Sequence, residues 1–402
     1  MTINNEHKKL HAPNLRFPEF QGEWEEKRLS EIADLFKGNG ISKEQLTDTG
    51  EPCILYGELY TKYKSEVISD IFSKTDIDTR KLVKSKANDV IIPCSGETAV
   101  DIATARCVPY DNILLGGDLN IIRLYDCDGS FMSYQLNGKR KYDLAKVAQG
   151  VSVVHLYGDH LKGVKTYNPC LEEQKKIAKL LSLLDERIAT QNKIIEDLKK
   201  LKCAIIEKHY RQAKLHKYKI CDLGVPFSVG SLSKEDLSEE GYECILYGEL
   251  FTTYSCVINE VKSHTNKIAN TTLSQKGDLL FPSSTTVDAV SLISPSVIDI
   301  PNVILGGDMF GIHIDKKFNA YYLSYYINLI ARKKLAIYAK GSTIIHLHYK
   351  DIAKAQLLLP DLCEQDKIAK CMMAEDAKIK VEEQLLTILE KQKQYLLRQM
   401  FI

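Results

Sequence analysis

The 402-residue chain has almost no net charge. Its 54 Lys and Arg stand against 53 Asp and Glu, a balance of +1. The chain as a whole therefore announces no polyanionic partner, and any such contact must come from local patches or with a partner's help. Long apolar runs are also missing. Nowhere do about 18 apolar residues follow one another, so no membrane-spanning helix is expected. The opening MTINNEHKKLH lacks the apolar stretch of a secretory signal. The 11 Cys are an odd number, and no two have C-x-x-C spacing. That removes the ligand cluster of a zinc ribbon and argues against a disulfide framework in a chain this long. Most sit in apolar runs as small core side chains, and the expected location is the cytoplasm. There is no G-x-x-x-x-G-K-[ST] to cradle a triphosphate and no H-E-x-x-H. The Asp/Asn-Pro-Pro-aromatic tetrapeptide of amino-methyltransferases is absent as well. What remains is an ordinary globular composition, 44% hydrophobic and 27% charged, of a length that suggests two to four domains.

The strongest positive signal is internal. SKEQLTDTGEPCILYGEL (42–59) and SKEDLSEEGYECILYGEL (233–250) agree at 12 of 18 positions, 191 residues apart. The parallel continues: NDVIIPCS (88–95) answers GDLLFPSS (277–284), and NILLGGD (112–118) answers NVILGGD (302–308). Lys139-Arg140-Lys141 answers Arg332-Lys333-Lys334, and AQGVSVVHL (148–156) answers AKGSTIIHL (339–347). P-x-L-x-E-Q-x-x-I-A begins at Pro169 and again at Pro360. A period this long means two copies of one domain-sized unit, not a solenoid. Within a copy, short apolar runs such as CILYG, DVIIP and NILLGGD, bounded by Gly, Pro, Asp and Asn, read as strands of a mixed sheet. Ser130–Val147 and Ala320–Tyr338 read as helices. The globules are α+β, not doubly wound.

Each copy ends in a stretch of about four heptads without Pro or Gly. The first seam runs Ile177, Leu181, Leu184, Ile188, Gln191, Ile195, Leu198 and Ile205, with Lys202 interrupting. The second runs Ile368, Met372, Ile379, Leu386, Leu389, Leu396 and Met400, with Glu375, Glu382 and Lys393 between. Spacings of three and four call for a partner helix, and the chain supplies one. The expected architecture is a first globule (1–170), a helix (171–213), a second globule (214–361) and a second helix (362–402), the helices forming an antiparallel coiled coil. Each helix spans roughly 60 Å at about 1.5 Å per residue. Antiparallel pairing turns the direct sequence repeat into an inverted repeat in space.

This layout resembles the specificity subunit of type I restriction–modification enzymes. The resemblance covers essentially the whole chain. It is carried by the opening PNLRFPEFQGEWEEKRL (13–29), the Gly-led turn before each helix, PCLEEQKKIAKLLSLLDERI (169–188) and PDLCEQDKIA (360–369). The second copy departs after Ala369, where it reads KCMMAEDAKI, which makes the helices unequal. The resemblance implies a host-defence protein with two target-recognition domains that read the halves of an interrupted double-stranded DNA sequence. It implies that the helices are a spacer and docking surface for two modification subunits. It also implies that the chain holds no cofactor: S-adenosylmethionine would belong to the modification subunits, ATP and Mg to the restriction subunit, and the chain itself would be non-catalytic.

Candidate DNA contacts recur in both copies. Lys139, Arg140, Lys141 and Lys146 lead into a Gly turn with Ser152 and His155; Arg332, Lys333, Lys334 and Lys340 lead into one with Ser342, Thr343 and His346. Cations supply affinity for phosphate, while hydroxyls and backbone N–H groups fix register; a solvated helix face is the plainer reading. Strand exits carrying Ser95 and Thr98, or Ser284 and Thr285, suit either base edges or a simple turn. Tyr56 with Glu58, and Tyr247 with Glu249, offer an aromatic ring and an acceptor for cytosine N4; a core Tyr and a structural Glu compete. Gly-Gly-Asp at 116–118 and 306–308 is a tight turn or an approach to phosphate. His346 and His348 lack a third metal ligand nearby. A nuclease-like set from Pro360, Asp361, Asp376 and Lys378 falls partly inside the second helix, where no sheet holds it together. Competing readings of the whole are a coiled-coil scaffold or adaptor with protein-binding globules, and an enzyme with an unrecognised site. The missing cofactor and phosphate motifs predict that the purified chain alone shows neither methyl transfer nor DNA cleavage; turnover without partners contradicts this.

Overall fold

The computed structural model describes residues 11–150 and 153–402. The chain divides into two compact units, one running to Lys193 and including Gln384–Ile402, the other Ile194–Glu383. The two long helices, α1 (Leu171–Gln212) and α2 (Leu362–Gln399), each contribute to both units.

The two globules repeat one another strand for strand. In the first, a four-stranded sheet has the order Ala33–Lys37, Leu119–Leu124, Asp89–Pro93, Arg106–Val108. In the second, the order Gly224–Ser228, Met309–Ile314, Asp278–Pro282, Ser296–Ile298 recurs, with Val257–Ile258 added at the edge. Both globules carry a second, five-stranded sheet. Its one parallel pair joins the C-I-L strand to the strand before Gly-Gly-Asp: Cys53 lies opposite Leu114, and Cys244 opposite Ile304. DVIIP and DLLFP are buried along their whole length. They are central strands with covered faces, which explains their unbroken apolar run.

The single helix expected over Ser130–Val147 is two, Gly129–Asn137 and Lys141–Val147. Gly138 breaks it: its amide closes the first helix on the Tyr134 carbonyl, and its ψ of −110° is not helical. In the second copy the break becomes a π turn, Ile327–Ala331, between Ala320–Tyr326 and Arg332–Ala336. Basic residues thus fall at the start of a second short helix in both globules.

Repeated Gln side chains tie each long helix to its globule. Gln174 donates to the Pro169 carbonyl and accepts from the Asp128 amide; Gln365 donates to the Pro360 carbonyl and accepts from the Asn319 amide. This accounts for P-x-L-x-E-Q in both copies. In the first unit Arg16 grips buried Glu173 through Nε and Nη2, both at 2.7 Å.

Within each unit the helices run antiparallel. In the first, Ile177 and Leu181 pack with Leu397, Met400 and Phe401 around Trp24 and Phe131. In the second, Lys202 meets Asp376 and His209 meets Glu364. The seam residues Ile177, Leu181, Leu184, Ile195, Leu198, Ile368, Met372, Ile379, Leu389 and Met400 are all buried.

Each unit contains one ion pair built to the same pattern. Asp185 accepts from Lys393 through Oδ1 (2.6 Å) and from the Tyr134 hydroxyl through Oδ2 (2.7 Å). Asp376 accepts from Lys202 through Oδ1 and from the Tyr325 hydroxyl through Oδ2 (2.6 Å). Tyr134 and Tyr325, Asp185 and Asp376, and Lys202 and Lys393 are each 191 residues apart. In both units the Lys comes from the other copy's helix. Asp376 is thereby accounted for as a structural partner. The first unit adds Glu66, 2.5 Å from Lys393. Burial pushes the Glu66 carboxyl up despite the ammonium beside it. Burial lowers the Lys393 ammonium, but Glu66 and Asp185 more than reverse this, so that it stands above the ordinary lysine value.

Leu184→Glu or Leu389→Glu should each cost more than about 2 kcal/mol, because a charge would replace a buried seam side chain. Trp24, the chain's one Trp, reports this in urea unfolding of the first unit. Lys393→Met should cost about 3–5 kcal/mol by the same probe, since it leaves the buried Glu66 and Asp185 with only Arg106 to offset them. A carboxyl with a raised folded-state pKa stabilises below its unfolded value and loses that contribution as pH rises. The Lys393→Met loss should therefore be larger at pH 8 than at pH 5; equal losses would contradict the stranded-carboxylate account.

Candidate nucleic-acid interface

In each globule the structure joins the strand exit to the Gly-turn hairpin. Val154–His155 pairs antiparallel with Ser95–Gly96, placing His155 opposite Ser95. Ile345–His346 pairs with Ser284–Thr285, placing His346 opposite Ser284. The hairpins are closed by bridges between Gln149 and His155, and between Lys340 and His346. Gly150 and Gly341 sit at φ +127° and +120°. A Cβ at either would strike the carbonyl of Val153 or Ile344, so the turn requires glycine. At the second hairpin's tip Ser342, Thr343 and Ile344 are exposed. Ser152 lies outside the described residues.

The basic residues divide by role. Lys139, Lys146, Lys333 and Lys334 are exposed and Lys141 half-buried. Lys146 lies 3.7 Å from Asp143, and Lys340, also exposed, lies 2.6 Å from Asp351. Arg140 turns inward: it donates to the Ile402 carbonyl, pairs with Asp143 at 3.1 Å and lies over the Tyr167 ring. Arg332 donates from its guanidinium to the carbonyls of Val290 and Ser291. Both arginines brace the fold through these bonds. A planar fork suits clustered carbonyls better than a lysine does.

Glu58 and Glu249 also have structural roles. Glu58 is buried and accepts from the Leu55 amide, Lys62 and Ser73; Glu249 accepts from the Leu246 amide and Ser263. These bonds close the Y-G-E turn and leave the rings of Tyr56 and Tyr247 exposed. Thr98 caps the helix Ala99–Ile102 through the Asp101 amide. Ser95 donates to Asp118 at 3.1 Å. Ser284 is buried, while Thr285 accepts from the Val287 amide. The Gly-Gly-Asp amides are used internally: Gly116 donates to Ile54, Gly117 to Gly40 and Gly307 to Gly230. That decides for a tight turn.

Residues not singled out as contacts lie beside this edge. Lys37 sits 5.4 Å from the Tyr157 ring centroid, and Tyr157 stacks on His155 at 5.9 Å. Burial pushes the Cys94 thiol up to about 11, with Lys37 opposing and Asp118 adding to the shift. In the second globule His346 and His348 stack at 6.2 Å. Ser228, Ser283, Asp308, His348, Tyr349 and Lys350 help line an open recess of about 490 Å³. Aligning the copies sets Lys37 against Ser228 and Tyr157 against His348, but neighbours such as Gly158/Tyr349 and His160/Asp351 change class as well, so sequence comparison alone does not single these residues out. Among the described residues no group of three or more His, Cys, Asp or Glu is placed to hold a metal, and no helix is long and apolar enough to cross a membrane.

The family model described as type I restriction modification DNA specificity domain matches the chain twice, over residues 21–200 and 214–391. The chain belongs to this family. This specificity-family chain is 29% identical over 203 residues to the type I restriction enzyme MjaVIII specificity subunit of Methanocaldococcus jannaschii, covering 50% of this chain and 44% of that protein. It is 27% identical over 252 residues to the putative MjaX specificity subunit of the same organism, covering 58% and 57%. The chain thus spans about half the length of these curated relatives. The fold matches the crystal structure of a type I restriction–modification S subunit from M. genitalium with a TM-score of 0.65 at 17% identity, over 97% of this chain and 99% of that one. A second structure, described as the basis of complex assembly and conformational transition of the type I R-M system, matches at 0.56 and 15%, over 93% and 96%.

Proposed function

We propose that this specificity-family chain is the sequence-reading subunit of a type I restriction–modification complex. Each globule reads one half of a bipartite DNA target, and the helices dock modification subunits. The observation that carries this is the hairpin-and-strand-exit edge, present once in each globule with exposed lysines beside it. A pair of small readers with local cations fits a chain of net charge +1, because affinity needs only a few phosphates and partners supply the rest. Docking is supported by apolar side chains left exposed on the helices, among them Leu183 and Leu201 on α1 and Val381, Ile388 and Tyr395 on α2. Methyl transfer would belong to subunits carrying S-adenosylmethionine, and cleavage to an ATP- and Mg-dependent subunit. The chain itself contributes selection.

The test is the methylome of a host that carries this chain with its modification subunits and no other adenine methylation. The expected result is one interrupted motif whose halves, each read 5′ to 3′ on its own strand, agree at some positions. Absence of any bipartite motif would overturn the reading in favour of a protein-binding scaffold. In the purified complex, replacing Lys333 and Lys334 with Ala should weaken binding to all sequences alike. It should also make the dependence of log K on log salt shallower, by about 0.9 for each phosphate no longer neutralised. A changed motif with an unchanged slope would assign those lysines to base readout instead.

A further inference from the structure

The two reading edges share a frame and differ around it. Ser95 and Ser284, Asp118 and Asp308, and His155 and His346 occupy matched positions, with each Ser paired opposite its His. Three neighbouring positions change chemical class: Lys37 becomes Ser228, Tyr157 becomes His348, and Asp159 becomes Lys350. In the second globule Ser228, His348, Lys350 and Asp308 line one recess. In the first, Lys37 lies over Tyr157, and its charge also helps hold the Asp159 carboxyl below the ordinary aspartate value, after the larger effect of Lys162. The three positions therefore surround the same spot in each copy.

Nothing in the packing calls for these changes. Asp159 and Lys350 are exposed, as are Tyr157 and His348. Where the frame itself changes between copies, the change is matched by a partner: Asp89 pairs with Arg123 in the first globule, and its counterpart Asp278 with His313 in the second. At the edge the exposed Asp159–Lys162 pair of the first copy has Lys350 and Ala353 at the matching positions, and an exposed pair of this kind adds little to stability. A cation stands on the strand side of the spot in the first copy, at Lys37, and on the opposite side in the second, at Lys350, where the first copy has a carboxylate. Lysine donates to guanine O6 and N7, whereas a carboxylate accepts from cytosine N4.

We propose that Lys37, Tyr157 and Asp159 in the first globule, and Ser228, His348 and Lys350 in the second, are the residues that make the two half-sites differ, while the shared Asp and His, backed by the buried Ser, read the base pairs they have in common. The base facing position 159 is one with an exocyclic amino group, and the base facing position 350 is guanine. This rests on the DNA-reading function proposed above.

The experiment is an exchange. The variant Lys37→Ser/Tyr157→His/Asp159→Lys, expressed with the modification subunits, should convert one or two positions of the first half-site to those of the second and leave the second half unchanged. The reciprocal variant Ser228→Lys/His348→Tyr/Lys350→Asp should do the converse. Binding of each purified complex to the wild-type target should fall by about 10-fold or more, with a matching gain for the exchanged target. If the wild-type complex methylates a bipartite motif and both variants methylate it unaltered, the inference is overturned while the function stands. If the wild type shows no motif, the function itself has failed. Variants that assemble and melt like wild type yet abandon the old target without taking up the exchanged one also count against it. Should a triple variant not fold, Asp159→Lys alone, on an exposed side chain, reads the same position: a shift toward guanine there supports the proposal, and an unchanged base refutes it.

Discussion

The fold depends on a half-buried lysine that each copy lends to the other. Asp185 and Asp376 sit on the helix face turned toward their own globule, and each takes a hydroxyl from that globule's Tyr134 or Tyr325. Neither carboxylate forms an ion pair within its own copy. The ammonium comes from Lys393 or Lys202, carried in by the antiparallel partner helix. A carboxylate and an ammonium that leave water lose several kcal/mol of hydration each, so only a close and fully bonded geometry offsets the loss. That demand fixes register. Sliding one helix by a heptad along an apolar seam costs little, because Leu and Ile exchange readily. Here the same slide would leave Asp185 facing no cation and Lys393 facing no carboxylate. The seam supplies the cohesion of each unit, and the exchanged ion pair supplies its alignment.

The surroundings of the two pairs show how strictly charge is balanced. In the first unit Glu66 and Arg106 are both buried, and burial lowers the Arg106 guanidinium while Glu66 and Asp185 hold it up. At the matching positions the second unit has Cys256 and Ser296. One cation and one anion have been replaced together by two neutral side chains, so the charge balance around the ion pair is kept in both units. Burial pushes the Cys256 thiol up to about 11, which keeps it neutral beside Lys202 and Asp376.

The parts of the structure legible from sequence are those governed by a period or a repetition. The helix seam is visible because apolar residues recur every 3.5 positions. The DVIIP and DLLFP strands are visible because burial on both faces leaves an unbroken apolar run. The strand-exit loops and Gly turns stand out only as separate segments; the short ladders from Ser95 to His155 and from Ser284 to His346 bridge some 60 residues, and no local pattern reports such pairing. The split at Gly138 turns on one glycine within a helical pattern. Arg140 and Arg332 look like surface cations because their acceptors are carbonyls distant in sequence. Glu58 looks available for the same reason: the Leu55 amide and Ser73 that occupy it leave no signature in composition.

Two opposite demands explain how the copies have diverged. The frame tolerates change only in balanced sets, because an unpaired buried group is costly wherever it falls. Glu66 and Arg106 went together, and Arg123 gave way to His313 opposite an unchanged Asp. The edge is under no such constraint. Tyr157, Asp159 and their counterparts lie where water satisfies whatever the protein does not, so single substitutions there cost the fold little. Opposite a base edge the same substitutions would be felt strongly, since a donor facing a donor leaves both unsatisfied. If that edge selects DNA, as proposed, its selection can change without altering what holds the protein together. The two copies remain alike in their ion pairs, Gln bridges and glycine turns, while differing in charge and ring chemistry along the exposed hairpin edge.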